Sequence, residues 1–300
     1  MDGFVKTVNR AHVASIDAAL ETAHADTGYE DAASEAWGDT PHPSYPTQPE
    51  AVFQTIAIEA AYSERTVLKN ISFHILDKSI TAIMGPSGCG KSTLLRILNR
   101  TLELTPGARI LSGKVLFRNQ NIYSKGQDPR AIRKRIGLIY QRPVPFPMSI
   151  LENVLFGVSF HGLPGDMPRE EYARLYLKRV GLWEEVKDRL RESANKLSGG
   201  QQQRLCLARA LANQPEVILM DEPCSSLDPA ATRQIEELIA QLKRDYTIVV
   251  VTHNIAQARR ISEFALFMFA GTLVESGPNE KIFHQPETPL ARDFITGKIG

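Results

Sequence analysis

The sequence predicts an α/β fold in which helices cover both faces of a parallel β-sheet. Residues 217–220 and 247–251 are continuous apolar runs, which are typical of strands that are buried on both faces. A third apolar run, residues 80–84, leads through a glycine-rich segment into residues 94–98, whose apolar side chains have helical spacing. A strand, a tight loop and a helix in this order form the building unit of a parallel sheet.

The glycine-rich segment has the phosphate-binding form G-x-x-x-x-G-K-[ST]. Its glycines allow successive backbone N–H groups to turn toward a polyphosphate, and the start of the following helix adds positive partial charge. Lys91 can reach the β and γ phosphates of a nucleotide, and the Ser92 hydroxyl can ligate Mg²⁺. The predicted nucleotide-binding residues are Gly85, Pro86, Ser87, Gly88, Cys89, Gly90, Lys91, Ser92 and Thr93.

Composition and charge fit a soluble enzyme of 300 residues. The 35 basic and 34 acidic side chains leave a formal net charge of +1, which gives no electrostatic case for binding nucleic acid. No apolar run approaches the roughly 18 residues that a membrane-spanning helix needs. The first residues lack the basic and apolar regions of a signal peptide, so we expect a cytoplasmic location.

The three cysteines, Cys89, Cys206 and Cys224, have no metal-type spacing and suit a reducing compartment. Cys89 lies beside Lys91 and the predicted helix start, where positive charge lowers the pKa of a thiol. We therefore expect Cys89 to be reactive.

Residues 1–50 differ in composition from the rest of the chain. They are rich in Ala, Asp and Glu and end in a proline-rich piece, which predicts a disordered or loosely helical tail. The alternative is a docking helix, because Phe4, Val8, Ile16 and Leu20 could share one helix face.

Partial alternation of apolar and polar residues predicts antiparallel strands at 52–58 and 70–75. Further strands are expected at 114–117, after a turn at Gly113, and at 138–141.

A mostly helical region is predicted for residues 149–196, with an interruption at 162–165. Ser149 and Glu152 have the spacing of a capping box, so a helix is expected to begin there.

Residues 197–204 read LSGGQQQR. Ser198 is a good helix N-cap, the two glycines after it permit a close backbone approach, and the amides there face any anion at the helix start. Taken alone, the pattern is equally typical of an ordinary capped helix.

Two adjacent carboxylates, Asp221 and Glu222, follow the apolar run 217–220. The carboxyl ends of strands are where α/β sheets place their sites. Asp221 suits a Mg²⁺ shell, and Glu222 suits the polarisation of an attacking water. The alternative is an exposed acidic loop.

The order of these motifs resembles that of the ATP-binding-cassette (ABC) ATPases. The phosphate-binding loop, Gln141, residues 197–201, the Asp221-Glu222 pair and His253 follow one another as in that family. The resemblance implies a P-loop NTPase fold of ABC type, in which a RecA-like parallel core carries an antiparallel β subdomain. It also implies a helical subdomain inserted at about 145–205, within a nucleotide-binding domain at 51–300.

The resemblance assigns a role to each matching residue. Tyr62 would stack on adenine, unless it is an ordinary turn tyrosine, and Gln141 would touch Mg²⁺ or the water. Asp228 would belong to the D-loop, although Asp before Pro229 is also a plain helix start. His253 would contact the γ-phosphate, unless it is a buried structural histidine. The implied catalytic residues are Glu222, His253, Lys91 and Gln141, and the implied Mg²⁺ ligands are Ser92, Gln141 and Asp221.

A homodimer is implied as well. In this family the loop equivalent to Ser198, Gly199, Gly200 and Gln201 of one subunit covers the ATP bound by the other subunit. The resemblance further implies a peripheral position on the cytoplasmic face of the cell membrane, with membrane permease subunits as partners and, indirectly, a solute-binding protein. We expect Gln141 and residues 143–148 to form the groove for a permease helix.

Several strings are similar to those of bacterial phosphate-import ATPases: QRP at 141–143, FPMSI at 146–150, DEPCSSLDP at 221–229 and FITGKIG at 294–300. Ser226 departs from the alanine that is frequent there, and the tail at 1–50 exceeds the usual start. Three alternatives remain open. They are an importer ATPase for another solute such as polar amino acids, a soluble ABC ATPase of DNA repair or translation, and a non-hydrolysing regulatory module.

Overall fold

Two β-sheets organise the residues that the computed structural model describes, which are 50–160, 162–163 and 167–299. The tail predicted at 1–50, with its apolar set at Phe4, Val8, Ile16 and Leu20, lies outside the described residues except for Glu50, so its conformation stays a prediction. The strands are β1 Ala51–Tyr62, β2 Arg65–Leu76, β3 Ile80–Met84, β4 Ala108–Phe117, β5 Gln120–Asn121, β6 Ile136–Ile139, β7 Val217–Asp221, β8 Thr247–Val251, β9 Phe264–Phe269 and β10 Thr272–Pro278.

The α-helices of the described residues lie between these strands and after the last of them. They are α1 Lys91–Leu98, α2 Pro129–Arg135, α3 Ile150–Leu155, α4 Arg169–Arg179, α5 Trp183–Val186, α6 Gly199–Leu211, α7 Pro229–Leu242, α8 Ile255–Ile261, α9 Asn279–His284 and α10 Pro289–Ile295. None of them is long and apolar enough to cross a membrane.

The first sheet has the order β2-β1-β4-β5, and all of its neighbouring strands are antiparallel. The strands predicted at 52–58, 70–75 and 114–117 are confirmed, and each is longer than predicted. Register shifts within β1 allow the strand to continue to Tyr62 instead of ending near Ile58. The buried face packs Phe53 against Phe117, with 4.9 Å between ring centroids.

The second sheet has the order β10-β9-β3-β8-β7-β6. Its strands run parallel except β10, which is antiparallel to β9. Every residue of β3 and β8 is buried. The sheet confirms the strands predicted at 80–84, 217–220 and 247–251.

Alternate residues of β7 and β8 enter two different hydrophobic cores. Ile218 and Ile248 pack with the helices that follow β6, whereas Leu219 and Val249 pack with α1 and the antiparallel sheet. All four side chains are fully buried, and each contributes about 1.5–3 kcal/mol through removal from water. Because both faces are covered, residues 217–220 of β7 and 248–251 of β8 are all apolar, and the polar residues Asp221 and Thr247 lie at strand ends.

The region between β6 and β7 is mostly helical, as predicted, and contains α3 to α6. Ser149 begins α3 through a capping box in which its side chain accepts from the Glu152 amide while Glu152 accepts from the Ser149 amide. The strand predicted at 138–141 is shifted in the structure, because β6 pairs with β7 only over Ile136–Ile139. Gln141 therefore lies beyond the strand end, in an exposed bend.

Candidate active site

Four neighbouring parallel strands, in the order β3, β8, β7 and β6, each lead into one of the predicted motifs. The loop 85–93 follows β3, His253 follows β8, Glu222 follows β7 and Gln141 follows β6. Because the carboxyl ends of parallel strands share one edge of the sheet, motifs that are far apart in sequence meet there.

Glycine is required at two positions of the loop 85–93. Gly85 and Gly90 have φ angles of 149° and 107°. A Cβ atom at Gly85 would lie 2.1 Å from the Met268 carbonyl oxygen, and one at Gly90 would lie 2.5 Å from Leu68 Cδ2. Gly90 is also the N-cap of α1 and supplies no side-chain cap, so the first N–H groups of α1 remain available to a ligand.

Lys91 folds back over this loop. Its Nζ donates to the Gly85 and Pro86 carbonyl oxygens at 2.7 and 2.8 Å, and the residue is only 6% exposed. The loop therefore combines a fixed positive charge with free backbone N–H groups, which is the chemistry that a polyphosphate needs.

The two adjacent carboxylates have different partners. Asp221 Oδ1 accepts from Ser92 Oγ at 3.0 Å, and burial raises the pKa of this carboxyl above its ordinary value. Glu222 Oε2 accepts from Gln141 Nε2 at 2.9 Å and lies 3.0 Å from His253 Nδ1. Glu222 also has a left-handed backbone with φ of 47°, a conformation that is strained for a residue with a side chain and is often found at functional sites.

A cleft of about 460 Å³ joins these groups. It is lined by loop residues between Ser87 and Thr93, by Gln141, Glu222 and His253, and by Val67 of β2. Val67 was not predicted as a site residue, because an apolar residue in a strand looks like any other core residue. Tyr62 lies next to the cleft, with its hydroxyl 3.4 Å from Thr93 Oγ1.

The residues present fit a magnesium ion. Ser92 Oγ and the Asp221 carboxylate are adjacent oxygen donors, the ligand type that Mg²⁺ prefers. Burial disfavours the ionised form of the Asp221 carboxylate, and a bound cation would stabilise that form. Gln141 lines the same cleft and offers a further amide oxygen.

The predicted residues on α6 and α7 lie apart from this cleft. Ser198 and Gln201 form a capping box at the start of α6, and Asp228 caps α7 by accepting from the Ala230 and Ala231 amides. None of Ser198, Gly199, Gly200, Gln201 and Asp228 lines the cleft within the described residues.

The reactive thiol predicted at Cys89 is contradicted by the structure. Cys89 is only 4% exposed, and burial raises the pKa of its thiol. The Lys91 charge acts in the opposite direction but is outweighed. Burial also raises the pKa of Cys206 and of Cys224.

Several known proteins are similar to this chain. A family model described as "ABC transporter" matches residues 68–225. The Phosphate import ATP-binding protein PstB of Thermotoga maritima is 49% identical over 251 residues, which cover 84% of this chain and 100% of the relative. The Phosphate import ATP-binding protein PstB 2 of Synechococcus sp. (strain JA-2-3B'a(2-13)) is 48% identical over 257 residues, which cover 83% of this chain and 96% of the relative.

Two solved structures are also similar. CbiO1 of Clostridium perfringens, described as part of the ABC transporter complex cbiONQ, gives a TM-score of 0.69 at 28% identity, covering 83% of this chain and 99% of the other. A bacterial Atm1-family ABC exporter with ATP bound gives a TM-score of 0.70 at 23% identity, covering 88% of this chain and 44% of the other. The second likeness concerns the fold alone.

Proposed function

This chain belongs to the ABC transporter family, and on that premise we propose that it hydrolyses ATP to energise the import of inorganic phosphate. The observation that carries the ATPase is one cleft lined by the phosphate-binding loop, Gln141, Glu222 and His253. Asp221 joins it through its hydrogen bond with Ser92. Phosphate as the solute is supported by the two relatives named for phosphate import, each nearly half identical to this chain over most of its length.

The residues in and beside the cleft have different roles in the proposed hydrolysis. Lys91 and the first N–H groups of α1 bind the β and γ phosphates. Ser92, Asp221 and Gln141 would hold Mg²⁺, which would neutralise phosphate charge. Glu222 orients the attacking water and accepts its proton, since a general base must stand within hydrogen-bonding reach of the proton it takes. Gln141 and His253 both hold the Glu222 carboxylate in place at its Oε2 atom.

The nucleotide base is proposed to stack on Tyr62. The contact between its hydroxyl and Thr93 places the ring beside the start of α1. An aromatic ring at that position offers a π-face to adenine.

A second copy of the chain is proposed to complete the site. The start of α6 is exposed at Ser198 and Gly199, and a Cβ atom at Gly199 would meet no described atom within 4 Å. This surface is open to the phosphate-binding loop of a partner subunit, with Asp228 at the same interface. Two ATP molecules would lie between the two subunits.

A membrane permease is proposed to dock on an apolar groove beside Gln141, on the cytoplasmic face of the membrane. The groove has a volume of about 270 Å³ and is lined by Val144, Phe146, Phe156 and Arg209, among others. Phe146 and Phe156 pack with ring centroids 4.4 Å apart, and Phe160 extends the cluster while remaining 71% exposed. Through the permease, the protein would act indirectly with a solute-binding protein.

The docking surface can be tested at Phe160, which packs against the groove residue Phe156 and is the most exposed member of this aromatic cluster. Phe160→Asp should abolish co-purification with membranes and leave ATP binding intact, because Phe160 is remote from the nucleotide contacts. Leu104→Asp is a matched control, since Leu104 is 64% exposed but lies outside the groove. Equal loss in both variants, or none in either, would remove the groove as the docking site.

The function itself is tested by uptake of labelled phosphate in cells that lack this protein. Returning the wild-type chain should restore uptake, and returning Lys91→Ala should not. Uptake of a labelled polar amino acid in the same cells is the control. Restored amino-acid uptake would identify a different solute, and ATP hydrolysis without any effect on uptake would identify a soluble ABC ATPase.

A further inference from the structure

A buried network of hydrogen bonds lies behind His253. Thr252 and Gln257 are each only 3% exposed. Thr252 Oγ1 donates to Gln257 Oε1 at 2.8 Å, and the Asn254 amide donates to Thr252 Oγ1 at 3.0 Å. The backbone on both sides of His253 is therefore tied to one buried glutamine.

The same glutamine reaches a second helix. Gln257 Nε2 donates to Glu236 Oε1 of α7 at 3.2 Å. Arg260 donates to both oxygens of Glu236, at 2.7 and 3.1 Å, and holds that carboxylate in place. Since Asp228 caps the start of α7, the network links the segment around His253 to the helix that starts at the proposed dimer interface.

Gln257 also lies close to the segment that follows Glu222. A cavity of about 210 Å³ is lined by Glu222, Cys224, His253 and Gln257 together. Gln257 thus shares this cavity with Glu222 and His253, two residues that the hydrolysis mechanism uses.

The chemistry of this position requires an amide. The Glu236 carboxylate only accepts hydrogen bonds, so it needs the Gln257 NH₂ group, and the Thr252 hydroxyl then donates to the Gln257 oxygen. A glutamate at 257 would place two carboxylates together, and an apolar residue would leave buried polar groups without partners.

We propose that Gln257 is a positioning residue for ATP hydrolysis, which holds the His253 backbone against α7 and so keeps the imidazole on the Glu222 carboxylate. The inference rests on the proposed ATPase function. Gln257 does not line the nucleotide cleft, and its effect on the reaction passes through His253.

The first test replaces the amide with a side chain of similar length. Gln257→Met should lower kcat on the order of ten- to hundredfold, because small displacements of catalytic groups have effects of this size. The Kd for a fluorescent ATP analogue should stay at the wild-type value. Thr252→Val removes only the hydroxyl that bonds Gln257 and should lower kcat in the same way. It provides the test if Gln257→Met fails to fold.

A second measurement separates positioning from plain structural support. In a His253→Ala background, Gln257→Met should cause no further loss of kcat, because the group that it positions is already gone. The pair Gln257→Glu with Glu236→Gln exchanges donor and acceptor across the bond, and should recover most of the activity that Gln257→Glu alone loses. Independent, multiplicative losses and no recovery would overturn the proposal.

Failure of the proposal is distinguishable from failure of the ATPase assignment. Glu222→Gln is assayed beside the other variants. If Glu222→Gln is inactive while Gln257→Met and Thr252→Val hydrolyse ATP at the wild-type rate, only the role of Gln257 is refuted. If the wild type does not hydrolyse ATP, or if Lys91→Ala hydrolyses it at the wild-type rate, the proposed function itself is refuted.

Discussion

The cleft edge and the start of α6 carry the two most specific motifs of the chain, and they are built in opposite ways. At the cleft, side chains from segments that follow different strands contact each other. Ser92 hydrogen-bonds Asp221, and Gln141 hydrogen-bonds Glu222. At the start of α6, Ser198 and Gln201 satisfy each other, and the Gly199 backbone faces open space. The contacts at the cleft are formed within one chain, so one chain is enough to build that site. The exposed start of α6 is capped only by its own residues, so its surface is free to bind a second chain.

The largest expected effect is the loss of ATP hydrolysis when Glu222 in the cleft is replaced. Glu222→Gln keeps the shape of the side chain but removes its basicity, so hydrolysis should fall by about 10²–10⁴-fold, or roughly 3–5.5 kcal/mol of barrier. ATP binding should persist, and the ATP-bound dimer should accumulate. Single-turnover hydrolysis and size-exclusion chromatography measure the two effects.

Glu184→Gln is the matched control for this variant. Its side chain is 73% exposed on the short helix α5 and should have no effect on either measurement. Near-normal hydrolysis by Glu222→Gln would exclude Glu222 as the base.

The next largest effect is expected at the start of α6, the second of the two regions compared. Adding Ser198→Arg to Glu222→Gln should abolish the ATP-dependent dimer, because a long cationic side chain would block the surface meant for the partner's nucleotide. Binding of ATP to the monomer should be unchanged, since α6 does not line the cleft.

Ser149→Arg controls for loss of a helix cap, which destabilises by about 0.5–2 kcal/mol wherever it occurs. Ser149 has the same capping-box geometry at the start of α3. Dimerisation that survives Ser198→Arg would show that α6 is not part of the interface.

A smaller effect is expected at the buried carboxylate of Asp221, beside the cleft. Burial raises the pKa of Asp221 in the folded chain, so the folded state binds a proton more tightly than the unfolded state does. Stability therefore falls as pH rises from the ordinary pKa of 3.8 through the raised value. Asp221→Asn should melt at a higher temperature than wild type at pH 7 without Mg²⁺ or nucleotide, and should bind Mg-ATP more weakly.

The pH profile provides the check on this prediction. The difference in melting temperature should shrink as pH is lowered through the raised pKa and vanish below 3.8, because Asp221 is then protonated in both the folded and the unfolded state of the wild type. A variant that melts lower than wild type at every pH would show that the Ser92 hydrogen bond outweighs the burial of charge.

The smallest effect is expected at Cys89. Because its thiol is buried and its pKa is raised, maleimide should label it slowly in the native protein and rapidly after denaturation. Cys89→Ser should retain ATPase activity. Fast native labelling, mapped by mass spectrometry to Cys89, would show that the loop opens in solution.

Local patterns in the sequence predicted most of the cleft. The apolar runs of β7 and β8 end at polar residues, so both the strands and their site residues could be located. The helix caps at Ser149, Ser198 and Asp228 were predicted because capping depends on neighbours within three residues.

Long-range packing accounts for the features that the sequence did not predict. β6 is an edge strand with β7 as its partner, and its end is set by that pairing. The pKa of Cys89 depends on burial by distant residues, which outweighs the nearby charge of Lys91. Gln257 resembles a solvated helix residue until Glu236, on another helix, is seen to pair with it.

Strand β3 lies in the middle of its sheet, and both of its neighbours come late in the chain. Ile80 pairs with Ile248 of β8, and Thr81 pairs with Phe264 of β9. During translation at roughly 5–20 residues per second, this apolar strand waits on the order of ten to thirty seconds for its partners, with both edges unpaired. Such long-range parallel pairing folds slowly and is prone to aggregation, which makes the nascent chain a natural client for chaperones. The nucleotide loop is thus translated long before His253, which lines the same cleft.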